Sequence, residues 1–403
     1  MNLNTERARE IQLYIDSHDV IKFPDWPIVI GGEIKSLPVY RLPVGYLRYY
    51  VSNGRFAVEK LLLEKQLGHE LNSDDPDDVL QIRKMLLEKD SQLTEKAVSL
   101  IDNLRSFNQK HPGVITHDGY LINGNRRMAA LELLHHEEST GKWQYLNVQR
   151  LPPEITPQDL WRIEAGLQLS KEDREKYGPM NELLKIKEGK DAAKLGDKEI
   201  ADAMFEWTEK EVEDAIERLK LIDNFLDHVG QTDKGGYGFI ETFDLHEKFI
   251  SLQRSVYKTA KAEGLSNKEI QKQLKDSFDT MYASAMLYKK PGKKGDQITN
   301  DDIRDLGKIF RNSKAMELFR TSLGKDKHSR TGSPEKIRDG LKDAQELLKF
   351  QRDNQQPRRL IETAIRALKN ISRKGPSFKE EQIKGVFKEL EQEVNKLKRD
   401  LGL

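Results

Sequence analysis

The chain has 403 residues, and its 68 Lys and Arg nearly cancel its 67 Asp and Glu, leaving a net charge of +1. The length accommodates two or three domains of roughly 100–200 residues each, and the balanced charge indicates no particular partner. Cysteine is absent, which excludes disulfides and thiolate metal sites and fits a reducing cytoplasm. The start, MNLNTERAREIQLY, is charged throughout, and no run approaches the ~20 apolar residues of a membrane span. We therefore expect a helix-rich cytoplasmic protein without a membrane partner.

Residues 1–155 alternate short β-like runs with helix-periodic ones. The β-like runs are PIVIGG, SLPVYRLPV, GVIT, GYLIN and QYLNVQRL. The helical periodicity covers Phe56 to Leu67, Val79 to Leu87, Leu93 to Phe107 and Met128 to His135. This alternation predicts a small domain of mixed α and β structure. The intervening LNSDDPDDV lacks the EF-hand pattern and is interpreted as an exposed helix start rather than a cation site.

From Thr156 onward, β signals nearly vanish, and Leu, Ile, Ala, Glu and Lys recur at helical spacing. We predict an all-α middle domain over residues 156–245 and a helical C-terminal domain over 246–403. The glycine-rich GQTDKGGYGF and the Pro/Gly break KKPGKKGDQ are interpreted as loops. Near the end, apolar residues recur close to heptad spacing, which is typical of a terminal packing or oligomerising helix. These residues are Val386, Leu390, Val394, Leu397 and Leu401.

A glycine stands where a predicted strand turns into a predicted helix, in DGYLINGNRRMAALELLHH. Gly124 would let backbone amides approach a ligand closely, and amides at a helix N-terminus form an anion site. Arg126 and Arg127 follow in the first turn, where the helix dipole disfavours cations. A polyphosphate would explain them, because guanidinium groups bind phosphate oxygens through paired donors. This stretch alone also fits two exposed arginines on a surface turn.

The order of features around this stretch resembles the core of ParB-type partition proteins and their sulfiredoxin-like relatives. GNRRMAA is similar to the family's G-E-R-R-x-x-A motif, with Asn125 in the Glu position. Asn53 and Arg55 match an N-P-x-x-P-R box that here lacks both prolines. Glu164 lies in WRIEAGLQLSKEDREKYGPMNELLKI, which looks like the family's E-N-x-x-R-x-D-L-x-P-I-E stretch, with Gly166 in place of a polar residue. The resemblance spans about residues 34–226.

The resemblance implies a bacterial-type protein with an N-terminal α+β ParB/sulfiredoxin-like domain that binds a nucleoside triphosphate, CTP or ATP, with Mg²⁺. The nucleotide would act as a conformational switch, ordering the domains or closing a homodimer on DNA. The nucleotide-binding residues so implied are Asn53, Arg55, Gly124, Asn125, Arg126 and Arg127. We expect no metal site made by protein side chains alone.

Departures from the family motifs bear on hydrolysis. The amide of Asn125 cannot act as a general base, which leaves Glu164 as the candidate catalytic carboxylate and predicts slow hydrolysis. Two alternatives stay open: an enzyme of phosphoryl transfer or nuclease type, and a structural adaptor that docks a partner protein and has an inactive nucleotide pocket.

The segment from Met180 to Val229 has the spacing of a helix-turn-helix, which reads DNA in the resembling family. Trp207 is expected at the turn. The expected core residues are Ile200, Ala201, Met204, Val212, Ile216, Leu219 and Ile222. Between Asp197 and Glu217, however, the sequence has nine acidic residues and only two basic ones. Helices that enter a DNA groove normally carry Lys, Arg, Asn, Gln or Ser. A structural or protein-docking role is therefore favoured for this unit.

Positive charge is concentrated further along the chain. Between Lys289 and Arg330, twelve bases stand against six acids, a net of +6. This excess is a possible footprint for a phosphate backbone, although such runs are often only solvated. The candidate DNA contacts are the four lysines of the glycine-flanked loop, Lys289, Lys290, Lys293 and Lys294.

Replacing these four lysines by glutamine is predicted to weaken DNA binding and to flatten its salt dependence, because each lost phosphate contact removes about 0.9 from the logarithmic slope. Fluorescence anisotropy across a salt series measures that slope. Glutamine at Lys198 and Lys210, in the acidic segment, is the control and should leave it unchanged. A quadruple variant with the parental slope would assign DNA contact to another surface.

Overall fold

The computed structural model describes residues 3–17, 20, 22–138, 141–169, 178–204, 207–232, 235–288, 297–323, 333–353, 357–371 and 381–402. A mixed sheet lies in the first 150 residues, and every strand of the described ranges belongs to this part. Beyond it, the regular secondary structure of the described residues is helical. The predicted succession of an α+β N-terminal part and a helical continuation is confirmed at this level. The lysines Lys289, Lys290, Lys293 and Lys294 lie outside the described residues.

Eight strands form the N-terminal β structure. They are β1 (Lys22–Ile30), β2 (Glu33–Pro43), β3 (Arg48–Tyr49), β4 (Glu88–Lys89), β5 (Gln92–Leu93), β6 (Gly113–Ile115), β7 (Tyr120–Asn123) and β8 (Tyr145–Arg150). Six of them make one sheet in the order β1-β2-β8-β6-β7-β3, while β4 and β5 form a separate hairpin. The pairs β6–β8 and β3–β7 are parallel, and β1–β2, β2–β8 and β6–β7 are antiparallel.

The outer strand β1 contains two prolines, Pro24 and Pro27, and pairs with β2 through a register shift between Phe23 and Trp26. The two strands join at Gly31 and Gly32, whose φ angles of 63° and 82° are those that glycine adopts without strain. This strand forms one edge of the sheet.

Six helices accompany the sheet. They are α1 (Thr5–Ser17), α2 (Ala57–Leu67), α3 (Pro76–Leu87), α4 (Glu95–Phe107), α5 (Asn125–Glu138) and α6 (Pro157–Leu169). Asp75 caps α3 by accepting hydrogen bonds from the amides of Asp77 and Asp78, so the aspartate-rich segment is the helix start that the sequence predicts.

Helices pack on both faces of the sheet. Successive residues of a strand point to opposite faces, so one strand contributes to both packing layers. In β7, Leu121 joins an apolar cluster with α3, α4 and α5, whereas Ile122 joins a second cluster with Ile163 of α6. Helix α1 is attached by two buried arginines: Arg7 Nε donates to the Asp118 carbonyl (2.6 Å), and Arg150 Nη2 donates to that of Ala8 (2.8 Å).

The helical part begins with α7 (Pro179–Asp191), α8 (Asp197–Ala203), α9 (Glu209–His228), α10 (Gly236–Thr242), α11 (His246–Leu252) and α12 (Thr259–Ala262). A π-helical segment, Gln253–Lys258, joins α11 to α12. The later helices are α13 (Asn267–Tyr288), α14 (Asn300–Phe310), α15 (Ser313–Ser322), α16 (Pro334–Asp353), α17 (Pro357–Lys369) and α18 (Glu381–Asp400).

Helices α7, α8 and α9 occupy the segment predicted as a helix-turn-helix. Six of its seven expected core residues are buried, Ile216 is half-buried, and Trp207 precedes α9 as expected. One apolar cluster extends from Val58 of α2 through Trp161 and α9 to Ala344, and it therefore crosses residues 155 and 245. The three-domain division stays a prediction. Within the described ranges, no helix combines the length and the apolar character needed to cross a bilayer.

Candidate functional site

The turn at Gly124 has the geometry that the sequence predicts. Strand β7 ends at Asn123, and α5 begins at Asn125. Between them, Gly124 has a φ of 113°, which L side chains rarely adopt. The amides of a first helical turn point back toward the residue that precedes the helix. Arg126 and Arg127 therefore occupy a turn whose backbone donors face the Gly124 end.

Asn125 is buried, and its amide joins two neighbouring segments. Its Oδ1 accepts a hydrogen bond from the Tyr50 amide (3.1 Å), and its Nδ2 donates to the Leu121 carbonyl (2.7 Å). An ionised carboxylate accepts hydrogen bonds but cannot donate. The asparagine at this motif position thus has a structural reason. Its contact with a nucleotide stays a prediction.

A second loop lies beside the first. Residues Gly54–Phe56 form one 3-10 turn, and the buried Asn53 caps it by accepting from the Arg55 amide (3.0 Å). The Nδ2 of Asn53 donates to the carbonyl of Ile122 (3.0 Å), two residues before Gly124. The loop that carries Arg55 is therefore fixed against the end of β7.

Three arginines lie close to this junction, Arg55 on its loop and Arg126 and Arg127 in the first turn of α5. Arg55, Arg126 and Arg127 are each half-buried, and Arg127 Nη1 donates to the His111 carbonyl (2.7 Å). Half-buried guanidinium groups still reach the surface, and lower solvent screening there strengthens their attraction for anions. The structure thus brings the predicted basic residues to one region, together with the first turn of α5.

Glu164 lies beneath the Arg55 loop, buried to 2% exposure. Its Oε1 accepts from the Gly54 amide (2.8 Å), and its Oε2 from Nζ of Lys185 in α7 (2.7 Å). Lys185 Nζ also donates to Glu188 (2.9 Å). A Cβ at position 54 would stand 2.7 Å from Lys185 Cδ, so only glycine lets the loop approach this closely. The carboxylate predicted to be catalytic is held in an ion pair in this arrangement.

Burial and charge oppose each other in this pair. Burial raises the pKa of Glu164, and the Lys185 ammonium works against that rise. Burial likewise favours a lower pKa for Lys185, but the carboxylates of Glu164 and Glu188 hold that pKa above its ordinary value. Lys185 therefore remains a cation at neutral pH.

Sequence reasoning missed Lys185 and Asn181, two polar residues on the buried face of α7. The Oδ1 of Asn181 accepts from the Val58 amide (3.0 Å), and its Nδ2 donates to the Arg55 carbonyl (3.0 Å). The two residues are four apart and thus share one helix face. Buried polar residues among Met180, Leu183 and Ile186 were the available signal.

Two acids of α9 pair with lysines of the following helical segments. Asp214 pairs with Lys258 of the π-helical segment (2.6 Å), and Glu217 pairs with Lys261 of α12 (3.0 Å). Gln253 donates to the Asp214 carbonyl (2.8 Å). These contacts give Asp214 and Glu217 a packing role, which agrees with the structural interpretation of this helix-turn-helix-like unit.

Among the described residues, no group of three or more His, Asp or Glu side chains is placed to hold a metal ion. Comparisons with protein families, with curated proteins and with solved structures find no match to this chain. The interpretation of the site therefore rests on its own geometry.

Replacing Lys185 by methionine is predicted to lower the free energy of unfolding by about 3–5 kcal/mol, because it leaves Glu164 buried without its counter-ion. Urea denaturation followed by tryptophan fluorescence measures the change. Lys187→Met, on the exposed side of the same helix, should cost under about 1 kcal/mol. Adding Glu164→Gln to Lys185→Met should recover part of the loss. Equal effects of the two lysine variants would contradict a stabilising ion pair.

Proposed function

We propose that this chain binds a nucleoside triphosphate, CTP or ATP, together with Mg²⁺, and uses it as a conformational switch in a ParB-like, DNA-associated protein. One observation carries the proposal: the positive-φ Gly124 opens a helix whose first turn bears Arg126 and Arg127, beside the loop that bears Arg55. Backbone amides and guanidinium groups together are the donors that a polyphosphate requires.

Each part of this region has a role in the proposed complex. The first-turn amides of α5 bind one phosphate, and the arginines neutralise the remaining negative charge. Mg²⁺ bound through phosphate oxygens and water requires few protein ligands. The chemistry that the metal would supply is neutralisation of phosphate charge.

The contacts of α7 support a switch. Asn181 bonds the carbonyl of Arg55, and the Lys185–Glu164 pair holds the amide of Gly54. Any displacement of the Arg55 loop by a bound phosphate therefore acts directly on the first helix of the helix-turn-helix-like unit. Nucleotide binding would therefore favour the position of that unit in which the site binds the nucleotide more tightly.

An adaptor with little or no hydrolysis is the second candidate, and the state of two residues favours it. The amide of Asn125 is bound to two backbone groups, and the carboxylate of Glu164 is paired with Lys185. Neither group is placed as a general base for an attacking water. Phosphoryl transfer or nuclease activity would need a carboxylate elsewhere, or a rearrangement that releases Glu164.

Replacing both Arg126 and Arg127 by alanine is predicted to abolish binding of CTP and ATP, because each charge-assisted phosphate contact is worth roughly 1.5–3 kcal/mol. Isothermal titration calorimetry with Mg²⁺ present measures the affinity, and circular dichroism verifies the fold. The control removes two exposed arginines of the helical part, Arg254 and Arg304, and should leave affinity unchanged. Unaltered affinity in the Arg126/Arg127 variant would refute the assigned site.

Hydrolysis is predicted to be slow, well below the ~10 s⁻¹ median of enzymes. If Glu164 is the catalytic carboxylate, Glu164→Gln eliminates single-turnover hydrolysis while nucleotide binding persists. The isosteric amide keeps the side chain in place, and Glu188→Gln serves as the control for removing one charge beside Lys185. Fast turnover in the parent, or hydrolysis unaffected by Glu164→Gln, would place the catalytic group elsewhere.

A further inference from the structure

The terminal helix α18 carries a continuous apolar seam. Its members alternate at spacings of four and three residues, as the a and d positions of a heptad do. They are Ile383, Phe387, Leu390, Val394, Leu397 and, just past the helix end, Leu401. Phe387 is 49% exposed, Leu397 49% and Leu401 63%. Val394 is also exposed, whereas Ile383 and Leu390 are half-buried, so most of the seam is open to solvent in the single chain.

We propose that a second copy of this chain covers the seam, with the two α18 helices forming a parallel, in-register coiled coil. This inference is independent of the nucleotide site. In a parallel pair, a g residue faces the e residue five positions further along the partner helix. With Phe387, Val394 and Leu401 at a positions, Glu393 is a g residue. Lys398 is the e residue of the partner helix that it would face. Twofold symmetry forms this opposite-charge pair twice.

The present partner of Glu393 does not oppose this arrangement. Glu393 pairs with Lys396 of its own helix at 2.6 Å, and both side chains are more than half exposed. Such exposed pairs contribute little free energy. Glu393 can exchange this contact for one with the second copy at small cost.

An antiparallel arrangement of the same seam brings like charges together. In the antiparallel register that packs every a residue on a d residue, the e positions of the two helices face each other. Glu391 then faces Glu391 of the second copy, and Lys384 faces Lys398 of the second copy. Among the g positions, Glu393 faces Glu393 of the second copy. Like-charge pairs of this kind disfavour a pairing. The charge pattern therefore selects the parallel orientation.

Orientation is tested by a single engineered thiol, because the chain has no cysteine. In full-length Leu401→Cys, a parallel pair places the two thiols side by side, and mild oxidation should give a covalent dimer. An antiparallel pair separates them by roughly 27 Å at 1.5 Å per residue, beyond disulfide reach. Lys396→Cys, at an outward c position, should cross-link little. Equal cross-linking of the two variants, or none in Leu401→Cys, would overturn the parallel coil.

The seam itself is tested by measuring mass in solution. Sedimentation equilibrium of the full chain should show a reversible dimer. Leu397→Lys, in the seam, should raise the dissociation constant about tenfold or more, whereas Gln392→Lys, at the outward f position, adds the same charge and should leave the constant unchanged. A parent chain that stays monomeric, or a dimer insensitive to Leu397→Lys, would refute the proposal and indicate that the seam packs within its own chain or does not pack.

The charge pairing is tested by exchange. Glu393→Lys and Lys398→Glu should each weaken the dimer, because each places like charges opposite one another. Mixing the two variants restores two attractive pairs in a heterodimer, so the mixture should associate more strongly than either variant alone. Absence of that preference would refute the assigned e and g contacts.

Discussion

The buried contact among Gly54, Glu164 and Lys185 is the constraint on which the proposed site depends. It joins three segments distant in sequence: the Arg55 loop, α6 and α7. Desolvation makes such a pair expensive, and apolar residues of equal size often stabilise a protein as much. Its value here is geometric, because a carboxylate that bonds both an ammonium and a backbone amide fixes the direction of each. The position of Arg55 follows from it.

The sheet supplies the other half of the same arrangement. Strand β7 delivers Gly124 and α5 at one end of the sheet, and Asn53 and Asn125 tie the Arg55 loop to that end through backbone groups. Each asparagine side chain accepts one backbone hydrogen bond and donates another, because its amide carries both an acceptor and a donor. The two loops thus form one unit supported by strands and helices, so ligand-binding residues sit on a rigid base.

Local patterns were sufficient for the fold outline and insufficient for the contacts at the site. The five predicted β runs became strands β1, β2, β6, β7 and β8, because hydrophobic periodicity and glycine punctuation are local properties. The Gly124 turn was predictable for the same reason. By contrast, GQTDKGGYGF was interpreted as a loop, yet α10 begins at Gly236. There a Cβ on Gly238 would stand 2.4 Å from Leu62 of α2, so the glycine permits close helix packing. Partners 176 residues apart, such as these two, leave no periodic signal in a single sequence.

The edge strand β1 has a consequence for how copies of this chain can meet. Prolines 24 and 27 have no amide hydrogen, and the register shift beside them bends the strand. A foreign strand laid along this edge would find an interrupted ladder of donors. This edge of the sheet is therefore poorly suited to pairing with a strand of another molecule.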